Sequence, residues 1–247
     1  MNTSIIGIAI AVFAVLIAII IEGASLLAFL KPSSILLILG GTFGATFASY
    51  SLPEIKKFIF HFWEAMGIQN HIDLVKVFQK FIEIARKDGL LALEEEINRI
   101  AHPFLAKGIK LVVDGSDPRT LEEILMEYAE EKEMDESISA KILDTAGGYS
   151  PTVGIIGTVL GLVHVLENLG AGTQALGQGI ATAFIATFYG IAFANLVFLP
   201  LGNKLRSYAK SKAKERHAII RGIVSLQAGE NRRILLERME PFLNTED

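Results

Sequence analysis

Two hydroxyls stand out in long apolar stretches of this chain. Thr158 shares a helical face with Gly154 and Gly161, and Gly157 and Gly161 repeat four residues apart; Thr187 shares a face with Ala183, Gly190 and Ala194, beside Ala186. Hydroxyl oxygens can ligate a small cation, but two of them are too few to replace its hydration shell. Each hydroxyl can equally bond the carbonyl four residues earlier, and the residues alone favour that local bond. Small residues at this spacing let helices approach closely in lipid, where packing drives association. The two faces are therefore expected to line a pore. Pro151 opens the first stretch and Pro200 closes the second. Proline lacks an N–H and disturbs a helix, which suits a hinge and equally a plain helix boundary.

Other chemistry is sparse. There is no P-loop, no H-E-x-x-H and no G-x-S-x-G, and the 247 residues include no cysteine. The histidines His61, His71, His102, His164 and His217 have no metal-ligand spacing. Of these only His164 falls in an apolar segment, where an interfacial or packing role is favoured over a proton relay. An enzyme is not expected, nor a tightly bound cofactor, and a net charge of −4 gives no reason to expect nucleic acid. An ion-driven membrane machine needs an ionisable group inside the bilayer, because a buried charge is costly and is kept for a task. Here the apolar segments hold no lysine, no arginine and no deep carboxylate. Any ion path must borrow its carboxylate from another chain.

Four segments are apolar enough to position these residues across a bilayer of about 20 residues' thickness: Ser4 to Ile21, Ser34 to Tyr50, Thr152 to Leu169 and Ile180 to Leu201. Nothing basic precedes the first and no A-x-A-like site follows it, so it is expected to stay uncleaved. Lys31 is the sole basic residue between the first two segments, and none lies between Glu167 and Gly179; twelve fall between Ser51 and Ser150 and ten after Leu201. The positive-inside rule makes those two large regions cytoplasmic. The expected fold is an all-α membrane protein with four transmembrane helices, both termini inside, and a helical cytoplasmic domain between the second and third spans. Its parts are residues 1–50 (first two spans), 51–150 (cytoplasmic helices), 151–202 (last two spans, carrying the ion path) and 203–247 (basic helical tail).

Within 51–150, Ile55, Phe58, Ile59, Phe62, Trp63 and Met66 form one helical apolar stripe, and Ile72, Val75, Phe78, Phe81, Ile82 and Ala85 a second that stops at Asp88-Gly89. A third helix is expected over Leu90 to Ile100. His102-Pro103 breaks the chain before a short helix, Phe104 to Val113. Asp117 then caps a helix with Pro118 at its first position, expected to run through Ala146 and halt at Gly147-Gly148. That helix is acidic and reads as a solvated face rather than a docking strip. The stretch Asn203 to Arg221 carries seven basic residues, a composition suited to anionic lipid headgroups. The residues after Pro241 are the only candidate for disorder.

This order of elements resembles the MotA/PomA flagellar stator family. The resemblance is carried by A-R-K-x-G-L-L-A-L-E-E (Ala85 to Glu95), K-G-I-K-L-V-V-D-G (Lys107 to Gly115), A-G-G-Y-S-P-T-V-G-I-I-G-T-V-L-G-L-V (Ala146 to Val163) and A-T-F-Y-G-I-A-F-A-N (Ala186 to Asn195). It implies a homopentameric ring in the bacterial inner membrane around a dimer of a single-span MotB- or PomB-like partner. That partner supplies the ion-binding aspartate and a peptidoglycan-binding domain. It further implies that Pro151 and Pro200 couple ion flow to movement. Arg86, Lys87, Glu94 and Glu95 match the charges that touch the rotor protein FliG, and the sequence departs from the pattern at Glu96 and Ile97. Thr158 and Thr187 match threonines of sodium-type members, which favours transiently bound sodium over the proton as the transported ion. The alternative is an ExbB/TolQ-like energiser of outer-membrane processes, for which three spans and an outer N-terminus are expected.

Overall fold

A computed structural model describes residues 3–67, 72–168, 170 and 172–243, and every regular element among them is helical. His71, Leu169 and the last four residues lie outside the described residues. The chain divides into two compact units, Met1–Gly67 with Glu136–Arg206, and Ile68–Asp135 with Ser207–Asp247.

The first unit holds the apolar helices α1 (Thr3–Ile21), α2 (Leu26–Phe29), α3 (Pro32–Ala48) and α4 (Leu52–Met66). It also holds the second half of α8 (Pro118–Glu167), all of α9 (Thr173–Phe193), a π-helical turn (Ala194–Phe198) and the start of α10 (Leu199–Gln227). Two runs, Pro118–Glu167 and Leu176–Gln227, contain stretches long and apolar enough to cross a bilayer. A third does so if α3 and α4, which meet at 119°, count as one bent span. The α3–α4 corner forms because Pro53 favours a helix start and because Glu54 reaches back to the Ser51 N–H at 2.7 Å. Along α4 the expected stripe is only partly covered: Ile55, Phe58, Phe62 and Met66 are half-buried, whereas Ile59 and Trp63 are exposed.

The second unit is built from α5 (Leu74–Asp88), a 3-10 turn (Leu90–Leu93), the single-turn α6 (Glu94–Ile97), α7 (Pro103–Val113), the first part of α8, the rest of α10 and α11 (Arg232–Leu243). The expected stop at Gly89 is present, with φ at +86°, a left-handed conformation that suits glycine. His102 caps α7, its Nδ1 accepting the Leu105 N–H at 3.3 Å, and Asp117 caps α8, accepting the Arg119 N–H at 3.1 Å. The helix expected over Leu90 to Ile100 is instead the 3-10 turn followed by one α-turn. Phe78, Phe81, Leu93, Leu105, Ile109 and Leu121 are fully buried at the centre of this unit, with Ile219, Ile220 and Ile223 of α10. The α10 backbone lies against an aromatic ring there: a Cβ on Gly222 would fall 2.5 Å from Phe78 Cζ.

A further expectation fails at the start of the apolar half of α8. α8 does not halt at Gly147-Gly148 and Pro151 is no boundary; the helix is continuous from Pro118 to Glu167. Two contacts account for this. Gly147 is packed under Leu199, whose Cδ2 would lie 2.7 Å from a Cβ there, so the glycine serves close approach and not termination. The Thr152 hydroxyl, one residue past the proline, bonds the Tyr149 carbonyl within the same helix at 2.7 Å.

Candidate functional site

The site is built on the seam between α8 and α9, where two backbones come close because neither carries bulk. A Cβ on Gly190 would lie 2.7 Å from the Ser150 carbonyl oxygen, one on Gly154 would lie 3.2 Å from the Ala186 carbonyl oxygen, and one on Gly161 would lie 2.8 Å from Ala183 Cβ. The small residues expected to line a pore are thus consumed by packing within the chain. Gly154, Gly157, Ala183, Ala186, Gly190 and Ala194 are all buried. On these faces Thr158, Gly161 and Thr187 stay half-buried.

At this seam Thr158 and Thr187 meet, hydroxyl to hydroxyl. The Thr158 oxygen also lies 3.1 Å from the Gly154 carbonyl and 3.1 Å from the Ala183 carbonyl. The first of these is the local bond that the residues alone favour; the second crosses to the other helix. A hydroxyl has one proton, so Thr158 can donate to only one of these oxygens at a time. The result is a half-buried cluster of two hydroxyl and two carbonyl oxygens with no formal charge. Such a cluster can take the place of part of a cation's water shell, but it cannot neutralise the ion.

The prolines sit close by, for different structural reasons. Pro151 lies inside α8 next to the buried Ser150, whose hydroxyl donates to the Gly190 carbonyl at 2.8 Å. Pro200 follows the π-helical turn Ala194–Phe198 at the beginning of α10. Proline cannot donate to the carbonyl four residues back, and a wider helical turn is one way to accommodate that loss. Neither proline ends its helix, so the plain-boundary reading of both is excluded.

Three polar pairs join elements of this unit. Tyr50 bonds Thr145 at 2.8 Å, Ser49 lies 3.1 Å from the Tyr149 hydroxyl, and Asp144 pairs with Arg206. Sequence reasoning did not find these residues. Nothing in their spacing marks them, because the two partners of each pair lie far apart along the chain.

The four charges assigned to rotor contact are in the second unit. Arg86 and Lys87 close α5, Glu94 and Glu95 open α6, and the Gly89 turn separates the two pairs. All four are exposed, and none takes part in an ion pair among the described residues. Their neighbour Glu96 differs. It is 9% exposed, pairs with Lys80 and lies 2.9 Å from Arg99, and the Lys80 hydrogen bond holds its carboxyl below the usual range. The position that departs from the family pattern is therefore a structural anchor under the exposed charges. A second anchor involves His102 and Glu215, 3.8 Å apart, with Lys212 at 2.9 Å. Burial alone would push the Glu215 carboxyl up, but hydrogen bonds from His102 and Lys212 outweigh it and hold the group at about 2.

Comparison with known proteins covers the whole chain. The profile of the MotA/TolQ/ExbB proton channel family matches residues 96–218, and that of the Motility protein A N-terminal region matches residues 5–89. Motility protein A of Bacillus subtilis is 33% identical over 100% of this chain and 92% of its own length. Chemotaxis protein PomA of Vibrio alginolyticus is 30% identical over 94% and 91%. Among solved structures, C. jejuni MotAB superposes with a TM-score of 0.93 at 29% identity, covering 100% of this chain and 98% of that one. The flagellar MotAB stator complex of Bacillus subtilis gives 0.90 at 31% identity, covering 99% and 97%.

Proposed function

The chain belongs to the Motility protein A family, and on that premise we propose that it is a flagellar stator subunit in which inward sodium flow past Thr158 and Thr187 drives the rotor. The meeting of those two hydroxyls at the α8–α9 seam is the observation that carries the ion assignment. A proton path needs a carboxylate and water; sodium additionally needs oxygens that replace its hydration, and the seam offers four in one place. The charge that this cluster lacks is supplied by the aspartate of a MotB- or PomB-like single-span partner.

In this reading α1, α3, the second half of α8 and α9 with its continuation are the four spans, and both termini are cytoplasmic. α1, with 19 residues, reaches roughly 28 Å, close to the thickness of the hydrocarbon core. Five copies surround the partner's helices, and the exposed Arg86, Lys87, Glu94 and Glu95 meet FliG. Movement arises where Pro151 and the π turn before Pro200 interrupt regular helix bonding. Each ion crossing releases about 2.3 kcal/mol per 100 mV, so several ions per step supply mechanical work.

The test is rotation speed against external sodium at fixed membrane potential and pH. Thr158→Ala is expected to reduce sodium-driven rotation more than Thr158→Ser, which keeps the oxygen, and Thr187→Ala to act like Thr158→Ala. Speed that ignores sodium and follows the proton gradient would overturn the ion assignment and leave the stator role standing.

A further inference from the structure

The first unit contains a cavity of about 580 Å3 between α3, α8 and α9. One end is polar, formed by Lys31, Ser34, His164, Asn168, Gln178 and Thr182. The other end is apolar, with Leu37, Gly157, Leu160, Gly161 and Ala186. No aspartate or glutamate lines it among the described residues. A cavity with a lysine and no carboxylate repels cations, so it is not a branch of the sodium route.

Three features of the polar end point to an anion. It lies at the N-terminus of α3, where Lys31 is the capping residue, Pro32 has no N–H, and no side chain caps the first turn. That leaves the Ser33 and Ser34 N–H groups free to bind a negative group, aided by the helix dipole. Ser34 is 4% exposed and lines the cavity, yet its hydroxyl makes no hydrogen bond among the described residues. That hydroxyl is therefore free to bond a group held in the cavity. The Lys31 ammonium likewise has no ion pair among the described residues. Lys31 is also the only basic residue between the first two spans, where the positive-inside rule gives a lysine no purpose.

We propose that this cavity binds a phosphate group on the outer side of the membrane, with Lys31 and the first turn of α3 as its recognition elements. The apolar end accommodates an acyl chain, so a phospholipid of the outer leaflet uses the whole cavity while free phosphate uses only its polar end. The outer placement rests on the four-span topology; phosphate recognition does not.

The full chain, co-purified with its partner in mild detergent, is titrated with phosphatidylglycerol or with a glycosyl diacylglycerol of the same acyl chains. Native mass spectrometry reads both bound lipid and intact assembly. Wild type is expected to retain phosphatidylglycerol, Lys31→Ala to weaken retention about tenfold, as loss of one charged hydrogen bond implies, and Lys31→Arg to restore most of it. Ser34→Ala should weaken it several-fold. Competition by inorganic phosphate with the same dependence on Lys31, and no preference for the phospholipid, identifies free phosphate as the source. Equal retention of both lipids by wild type and Lys31→Ala, with no phosphate binding, overturns the proposal. Ser33→Cys gives a single thiol in a chain without cysteine. Labelling it from outside intact cells is expected, and labelling only from the cytoplasmic side overturns the outer placement without touching the binding result.

Discussion

The two units of this chain are both all-helical, yet they are held together by opposite means. In the unit carrying α5, α7 and α11, large side chains are inside: Phe78, Phe81, Leu105, Ile109, Leu121 and Leu125 are each less than 2% exposed or close to it. In the unit carrying the spans, glycine and alanine are inside, at Gly154, Gly157, Ala183, Ala186 and Gly190. There the large residues face outward, with Ile155, Val159, Leu166 and Phe184 all more than half exposed. Water rewards burial of large apolar surface. Lipid does not distinguish an inward leucine from an outward one, so close backbone approach and hydrogen bonds decide the packing. The difference also places the candidate groups. A seam without bulk is where two threonine hydroxyls can meet, and a bulky, well-packed unit can hold charges rigidly on its surface.

The largest expected effect tests the water-facing side of that contrast. Phe78→Ala should cost about 3–5 kcal/mol, read as lost hydrogen-exchange protection over Leu105 to Val112 in the full-length protein, while α9 keeps its protection. Gly190→Ala should do the reverse at about 1–3 kcal/mol. The added methyl would sit 2.7 Å from the Ser150 carbonyl oxygen, which is backbone and cannot swing aside. Protection of α9 and ion-driven rotation should fall while the Phe78 core is untouched. If both variants loosen both units equally, the two packings are not independent.

Acid should also separate the units. Glu215 is held at about 2 against an ordinary 4.5, so its contribution is complete above pH about 4.5 and is lost as pH falls toward 2. A depression of this size is worth roughly 3 kcal/mol in a dry site, reduced to about 2 by solvent screening at this partly open one. Acid titration should destabilise the second unit before the first, and Glu215→Gln should remove that pH dependence. The smallest effect on stability is expected at the exposed charges. Reversing Arg86 or Glu94 should change stability by no more than about 0.5 kcal/mol while reducing torque, and compensating reversals on the rotor side should restore some of it. Loss of folding in either reversal would make these residues structural.

By itself the sequence determined what depends on local chemistry and on composition. Apolar length located the long apolar helices, and the caps at Asp117 and His102-Pro103 and the stop at Gly89 were legible because each acts through its own backbone. Thr158 and Thr187 were legible as a candidate pair because they carry hydroxyls on small-residue faces. The absence of a deep carboxylate from the apolar segments was legible as well. Tertiary structure alone decided the rest. Gly147-Gly148 reads as a stop, but Leu199 packing against Gly147 makes it a place of close approach within a continuous helix. The glycine faces read as pore lining, but α8 and α9 close them on each other. Glu96 reads like Glu94 and Glu95, yet Lys80 and Arg99 make it an anchor. Ser34 reads as an ordinary first-turn serine until the cavity behind it is seen. In each case the deciding partner is far along the chain or on another helix, and no periodicity or spacing records which distant atom will arrive.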